Sequence, residues 1–256
     1  MITAKENAKI KRVAALVSSA KRRREAGVFV LEGTRLCSEA LKSNITLCEL
    51  YYTKETEKAN PKLIFELKDK AEFFSEVSGE VFKKISDTTS PQGLLAVVSL
   101  KTGGECNFKG KWLGFERVAD PSNLGAAART AEALGFGGIL ISQSSVDPYS
   151  PKSLRASMGA LLRIPVVVTD DFLGSISNLK ENGFTVSGAV VDKDAQRVNE
   201  ISFIENEIAL IGNEANGLSR EIRAKCDRLV TIPMSGKAES LNAAAAATIL
   251  MWEMVR

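Results

Sequence analysis

The sequence predicts an α/β protein of two domains, the second built on a parallel sheet. From residue 112 onward, six apolar runs (112–117, 138–142, 166–168, 185–191, 208–211 and 229–232) alternate with helical patterns, as parallel strands buried on both faces do. Residues before 100 form a shorter series of helices and strands, a second α/β layer sandwich. Between the two, Lys101-Thr-Gly-Gly-Glu-Cys-Asn-Phe-Lys-Gly110 is polar and glycine-rich, the composition of a linker. The expected organisation is a smaller domain over residues 1–100, a linker over 101–111 and a larger domain over 112–256.

Each element follows from local pattern. Apolar spacing predicts one helix over 9–25, a short strand over 28–32, a helix over 34–41 and a strand over 46–52. Pro61 suits the first helical position and opens a helix over 61–70. The runs 73–75 and 94–100 read as further strands around 81–85. In the second domain no Gly-x-Gly-x-x-Gly follows a strand, since Leu134-Gly-Phe-Gly-Gly138 has the wrong spacing. No Walker lysine loop is present either, which argues against a Rossmann dinucleotide site and an NTPase.

Composition narrows the class. A chain of 256 residues, 45% hydrophobic and 25% charged, can bury ordinary cores and lacks a disorder signature. Cys37, Cys48, Cys106 and Cys226 are widely spaced, with no Cys-x-x-Cys and no histidine to complete a zinc site. They are expected to be reduced packing residues of a cytoplasmic protein that holds no metal. No apolar run reaches the length of a membrane span.

Charge is concentrated at one end. Residues 1–25 carry eight Lys/Arg against Glu6 and Glu25, a local +6; the whole chain is +3, so the remainder totals −3. A basic run is most simply a solvated helix face, but it also suits a phosphate backbone through counterion release. Lys21, Arg22, Arg23 and Arg24, with Arg35 beyond them, are the candidate contacts to such a backbone.

Three segments carry the chemistry. Ile232-Pro-Met-Ser-Gly-Lys-Ala-Glu-Ser-Leu-Asn242 is a Pro/Gly turn entering a helix of small residues, and the free N–H groups of a helix start suit an adenosine- or phosphate-bearing ligand. Glu116-Arg-Val-Ala-Asp-Pro-Ser-Asn-Leu-Gly-Ala-Ala-Ala-Arg129 is a strand end, an Asp-Pro turn and a helix, and Ile208-Ala-Leu-Ile-Gly-Asn-Glu-Ala-Asn-Gly-Leu-Ser219 is a strand running into a Gly/Asn turn. Taken singly, each has a plain reading as a turn or helix cap. Together, in this order, they resemble the three motifs of the SpoU/TrmH family, RNA ribose 2′-O-methyltransferases of the SPOUT superfamily. The likeness continues through Asn7–Arg35, Ser90-Pro-Gln-Gly-Leu-Leu-Ala-Val-Val98 and Pro151–Val166, and is strongest to the ribosomal-RNA branch with its N-terminal substrate-binding domain.

The resemblance implies a C-terminal SPOUT domain with a deep trefoil knot, behind a ribosomal-protein-like RNA-binding domain. It implies S-adenosylmethionine as cofactor, RNA as partner and a homodimer, which Ala243–Ala247 with Ile249, Leu250 and Trp252 could also build. Its catalytic positions fall on Asn123, Arg129, Glu214, Ser240 and Asn242. Its cofactor positions fall on Gly212, Asn213, Ile232, Met234 and Leu241. With no histidine in the chain the usual general base is missing, so Arg129 either takes the hydroxyl proton transiently or stays cationic and stabilises developing alkoxide charge. The sequence leaves both accounts open, as it does a transfer-RNA substrate or a non-catalytic ribosome-assembly role.

Overall fold

The structure, a computed structural model, describes residues 1–43, 45–99 and 108–256. It divides into two compact units: Met1–Gly104 with Tyr149–Leu162, and Glu105–Pro148 with Arg163–Arg256. Most of the expected linker, with Cys106, lies outside the described residues. The segment Tyr149–Leu162 departs from the expected boundaries, because it packs with the N-terminal unit rather than the sheet it follows in sequence. Sequence adjacency could not show this.

The first unit runs α1 (Ala8–Ser18), α2 (Ala20–Ala26), β1 (Val28–Glu32), α3 (Thr34–Lys42), β2 (Leu47–Tyr52), α4 (Lys54–Ala59), α5 (Pro61–Lys70), β3 (Phe73–Glu76), α6 (Gly79–Ile85) and β4 (Leu94–Ser99). Its sheet has the order β1-β4-β2-β3, with β3 parallel to β2 and the other pairs antiparallel. Ile10, Val13 and Leu16 of α1 pack with Val81, Phe82 and Ile85 of α6 in one core cluster. The single helix expected over 9–25 is two. Ser19 is extended (φ −129°, ψ 115°), ends α1, and accepts a hydrogen bond from Arg22 N–H, so it caps the start of α2. Cys37 is fully buried, which pushes its thiol pKa well up and leaves it inert.

The second unit contains β5 (Lys111–Phe115), α7 (Pro121–Ala133) and β6 (Gly138–Ser142), after which α8 (Pro151–Ser157) belongs to the first unit. It continues with β7 (Val166–Thr169), α9 (Phe172–Glu181), β8 (Thr185–Ala189), β9 (Gln196–Arg197), β10 (Glu207–Ile211), α10 (Arg220–Lys225), β11 (Arg228–Thr231) and α11 (Ala243–Val255). The sheet order is β7-β6-β5-β10-β8-β11-β9, every pair parallel. Strands β6 and β10 are buried throughout, which is why they read as continuous apolar runs rather than alternating ones. All strands therefore end at the same edge of the sheet, and the loops of that edge form the site.

Candidate active site

Three loops meet where β8, β10 and β11 end. They line a cavity of about 400 Å³, within the ~300–1,000 Å³ usual for small-molecule sites. Its walls mix apolar side chains, including Val190, Ile211, Ile232 and Leu241, with Glu214, Glu239 and Arg223. The five expected cofactor residues, Gly212, Asn213, Ile232, Met234 and Leu241, all line it, as do Glu214 and Ser240. The stretch 189–191 at the end of β8 and the charged Arg223 and Glu239 line it too and were not expected. Nothing in their local spacing marks them, since they reach the cavity only through the strand order.

Gly212 is required by a close approach. A Cβ there would stand 2.1 Å from the Gly217 carbonyl carbon and 2.2 Å from Leu218 N, so only glycine lets the loop fold back on its own start. Asn213 shapes the same loop. Its Oδ1 accepts from Ala215 and Asn216 N–H at 3.1 Å each, and its Nδ2 donates to Arg117 O at 2.9 Å. The buried Glu116, absent from the expected set, accepts a 2.7 Å bond from Ser219 N–H and closes the far end of the loop.

One polar residue from each of the three motifs, Glu214, Asn123 and Asn242, joins a single chain of hydrogen bonds. The Glu214 carboxylate accepts from Ala119 N–H (3.0 Å), Asp120 N–H (3.2 Å) and Asn123 Nδ2 (2.9 Å). Asn123 Oδ1 accepts from Asn242 Nδ2 at 2.8 Å, and Asn242 Oδ1 in turn caps α11 through Ala244 and Ala245 N–H. Partial burial raises the Glu214 pKa, but the bonds from Asn123, Ala119 and Asp120 outweigh it and hold the carboxyl below the usual glutamate range. Such a group is a fixed anionic acceptor, poorly suited to taking a proton. Glu214, Asn123 and Asn242 thus hold the motifs in register.

Arg129 stands apart from this chain. It is exposed, two turns beyond Asn123 on α7, and does not line the cavity. Helix α7 packs on α11, with Thr130 and Thr248 hydroxyls 3.3 Å apart. Around them α11 leaves Ile249, Trp252 and Val255 exposed, Trp252 at 56%.

In the first unit Lys21, Arg22, Arg24 and Arg35 are exposed as expected. Arg23 is not. It is 4% exposed and its guanidinium donates to Leu16 O (2.6 Å) and Val17 O (3.0 Å), satisfying carbonyls at the end of α1. Periodicity within a run of four basic residues does not show which one turns inward; the bend at Ser19 does. Among the described residues no group of three or more His, Cys, Asp or Glu could hold a metal ion, and no helix is long and apolar enough to cross a membrane.

The residues fit S-adenosylmethionine. The apolar walls suit adenine, and the carboxylates of Glu214 and Glu239 suit a ligand with two cationic centres. Comparisons with known proteins agree. The model of the SpoU rRNA Methylase family matches residues 112–252, and that of the MRM3-like substrate binding domain matches residues 7–96. The chain is 30% identical to the 23S rRNA (guanosine(2553)-2′-O)-methyltransferase of Bacillus subtilis, covering 91% of each. It is 30% identical to the 23S rRNA (uridine(2479)-2′-O)-methyltransferase of Streptomyces viridochromogenes, covering 98% of this chain and 90% of that one. The crystal structure of the SpoU methyltransferase AviRb from Streptomyces viridochromogenes with AdoMet superposes with a TM-score of 0.87 at 29% identity, covering 98% of this chain and 97% of that one. The knotted SPOUT architecture that the family resemblance implied is therefore the fold of the second unit. With both of its domains matched, the chain belongs to the SpoU rRNA Methylase family and carries an N-terminal MRM3-like substrate binding domain.

Proposed function

We propose that this protein transfers a methyl group from S-adenosylmethionine to a ribose 2′-hydroxyl of ribosomal RNA, acting as a cytoplasmic homodimer. The observation that carries the reading is the hydrogen-bonded chain Glu214–Asn123–Asn242, which joins all three motifs beside a cavity of the right chemistry. When bound, S-adenosylmethionine supplies an electrophilic methyl on a sulfonium that leaves as a neutral thioether. The protein's task is to present the hydroxyl in line and to accommodate its developing charge. Ser240 and the start of α11, fixed by Asn242, border the cavity and orient the nucleophile.

Arg129 acts as a cation. Its exposed planar fork pairs with the RNA phosphate and the forming alkoxide, and the hydroxyl proton leaves to solvent. Because Arg129 is not among the residues lining the cavity, we take the site to be completed by a second copy seated on the exposed apolar face of α11. Lys21, Arg22, Arg24 and Arg35 hold the RNA backbone.

The test is a map of 2′-O-methylated positions in ribosomal RNA from cells with and without the gene, with transfer by the purified protein to the unmodified RNA. One ribose position should lose its methyl group and regain it in vitro. Transfer only to transfer RNA would change the substrate, and no transfer to any RNA would overturn the reading.

A further inference from the structure

Three of the side chains lining the cavity are charged: Glu214, Glu239 and Arg223. Glu214 is committed to Asn123 and two backbone N–H groups. Glu239 and Arg223 are exposed and, among the described residues, neither forms an ion pair. Two carboxylates and one guanidinium are the inverse of the cofactor's own charges, a sulfonium and an ammonium against one α-carboxylate.

Resting on the cofactor reading above, we propose that Arg223 is the residue that recognises the α-carboxylate of the methionine moiety. Its planar fork matches a carboxylate bidentately, and among the described residues no other Lys or Arg lines the cavity. Its neighbours on α10, Arg220 and Lys225, stay outside the lining. The helix that carries it is anchored: Ile222 is buried, and Ser219 caps the helix while its own N–H is held by Glu116. Arg223 is thus presented from a fixed base, which lowers the ordering cost of binding.

The experiment is calorimetry with two nucleosides. S-adenosylhomocysteine keeps the amino-acid portion, whereas 5′-methylthioadenosine lacks it. The parent protein should bind both. Arg223→Gln should weaken S-adenosylhomocysteine roughly ten- to hundredfold and leave 5′-methylthioadenosine within about twofold, with Arg223→Lys recovering part of the loss. Equal weakening of both ligands makes Arg223 a wall of the pocket and overturns the proposal, and unchanged affinity for both overturns it as well. A parent protein that binds neither ligand would instead remove the cofactor reading on which the proposal stands.

Discussion

Asn242 Nδ2 donates to Asn123 Oδ1 at 2.8 Å across 119 residues of sequence, and this amide pair sets the direction of the whole network. Asn123 must aim its oxygen at Asn242 because its nitrogen serves Glu214. Asn242 must aim its nitrogen at Asn123 because its oxygen caps α11. Neither amide can flip without breaking every one of these bonds, two at Asn123 and three at Asn242.

That directionality predicts the outcome of Asn242→Asp. Aspartate caps a helix as well as asparagine does, but it turns a carboxylate on Asn123 Oδ1 where a donor stood. The melting temperature should move by only a few degrees while methyl transfer falls roughly a hundredfold, comparable to losing one positioned donor. Asn242→Ala should additionally lose about 1 kcal/mol of stability with the cap. Parent-level transfer by Asn242→Asp would mean that the amide pair only packs the helices.

Glu214→Gln should change how stability responds to acid. The Glu214 pKa is lower in the folded than in the unfolded chain, so its stabilisation is complete above the unfolded value and is lost as pH falls through the folded one. The stability difference between parent and variant, measured by urea unfolding, should be flat above roughly pH 5 and shrink below it. A difference that grows on acidification would contradict this sign.

Arg129→Ala and Arg129→Lys should separate chemistry from cofactor binding. Because Arg129 does not line the cavity, affinity for S-adenosylhomocysteine should stay within about twofold, while transfer falls roughly a hundredfold or more for alanine. Lysine keeps the charge without the fork and should recover only part. Arg129→Ala with parent turnover would leave Arg129 no part in the reaction.

The basic run should divide in two. Neutralising Lys21, Arg22 and Arg24 to Gln should weaken RNA binding and flatten its salt dependence, each lost phosphate contact reducing the log–log slope by about 0.7 to 0.9. Arg23→Gln should instead cost roughly 1.5–3 kcal/mol of folding stability, because its buried guanidinium ties off the end of α1. An Arg23→Gln variant as stable as the parent would refute that assignment.

Trp252→Lys tests the apolar face of α11. A charge at this 56% exposed position should convert a dimer to monomer in sedimentation experiments. Transfer should fall with it while the cofactor affinity of the folded chain persists. A parent protein that sediments as a monomer would leave the face to another use.

The sequence by itself determined the alternation of strand and helix, the parallel character of the second sheet and the residues of the three motifs. These are local quantities. An apolar run such as 208–211 is buried on both faces wherever it sits, and Asn242 ahead of an alanine-rich helix is a cap in any context. Tertiary structure decided what those residues do. The strand order β5-β10-β8-β11 sets the loop at Gly212 beside the stretches 189–191 and 232–241, and no periodicity contains an order of strands. The burial of Arg23, the grouping of Tyr149–Leu162 with the first unit and the commitment of Glu214 to Asn123 follow from contacts between distant segments. Propensity acts over a few residues, whereas which groups are desolvated, and which donors meet which acceptors, is settled only when those segments pack.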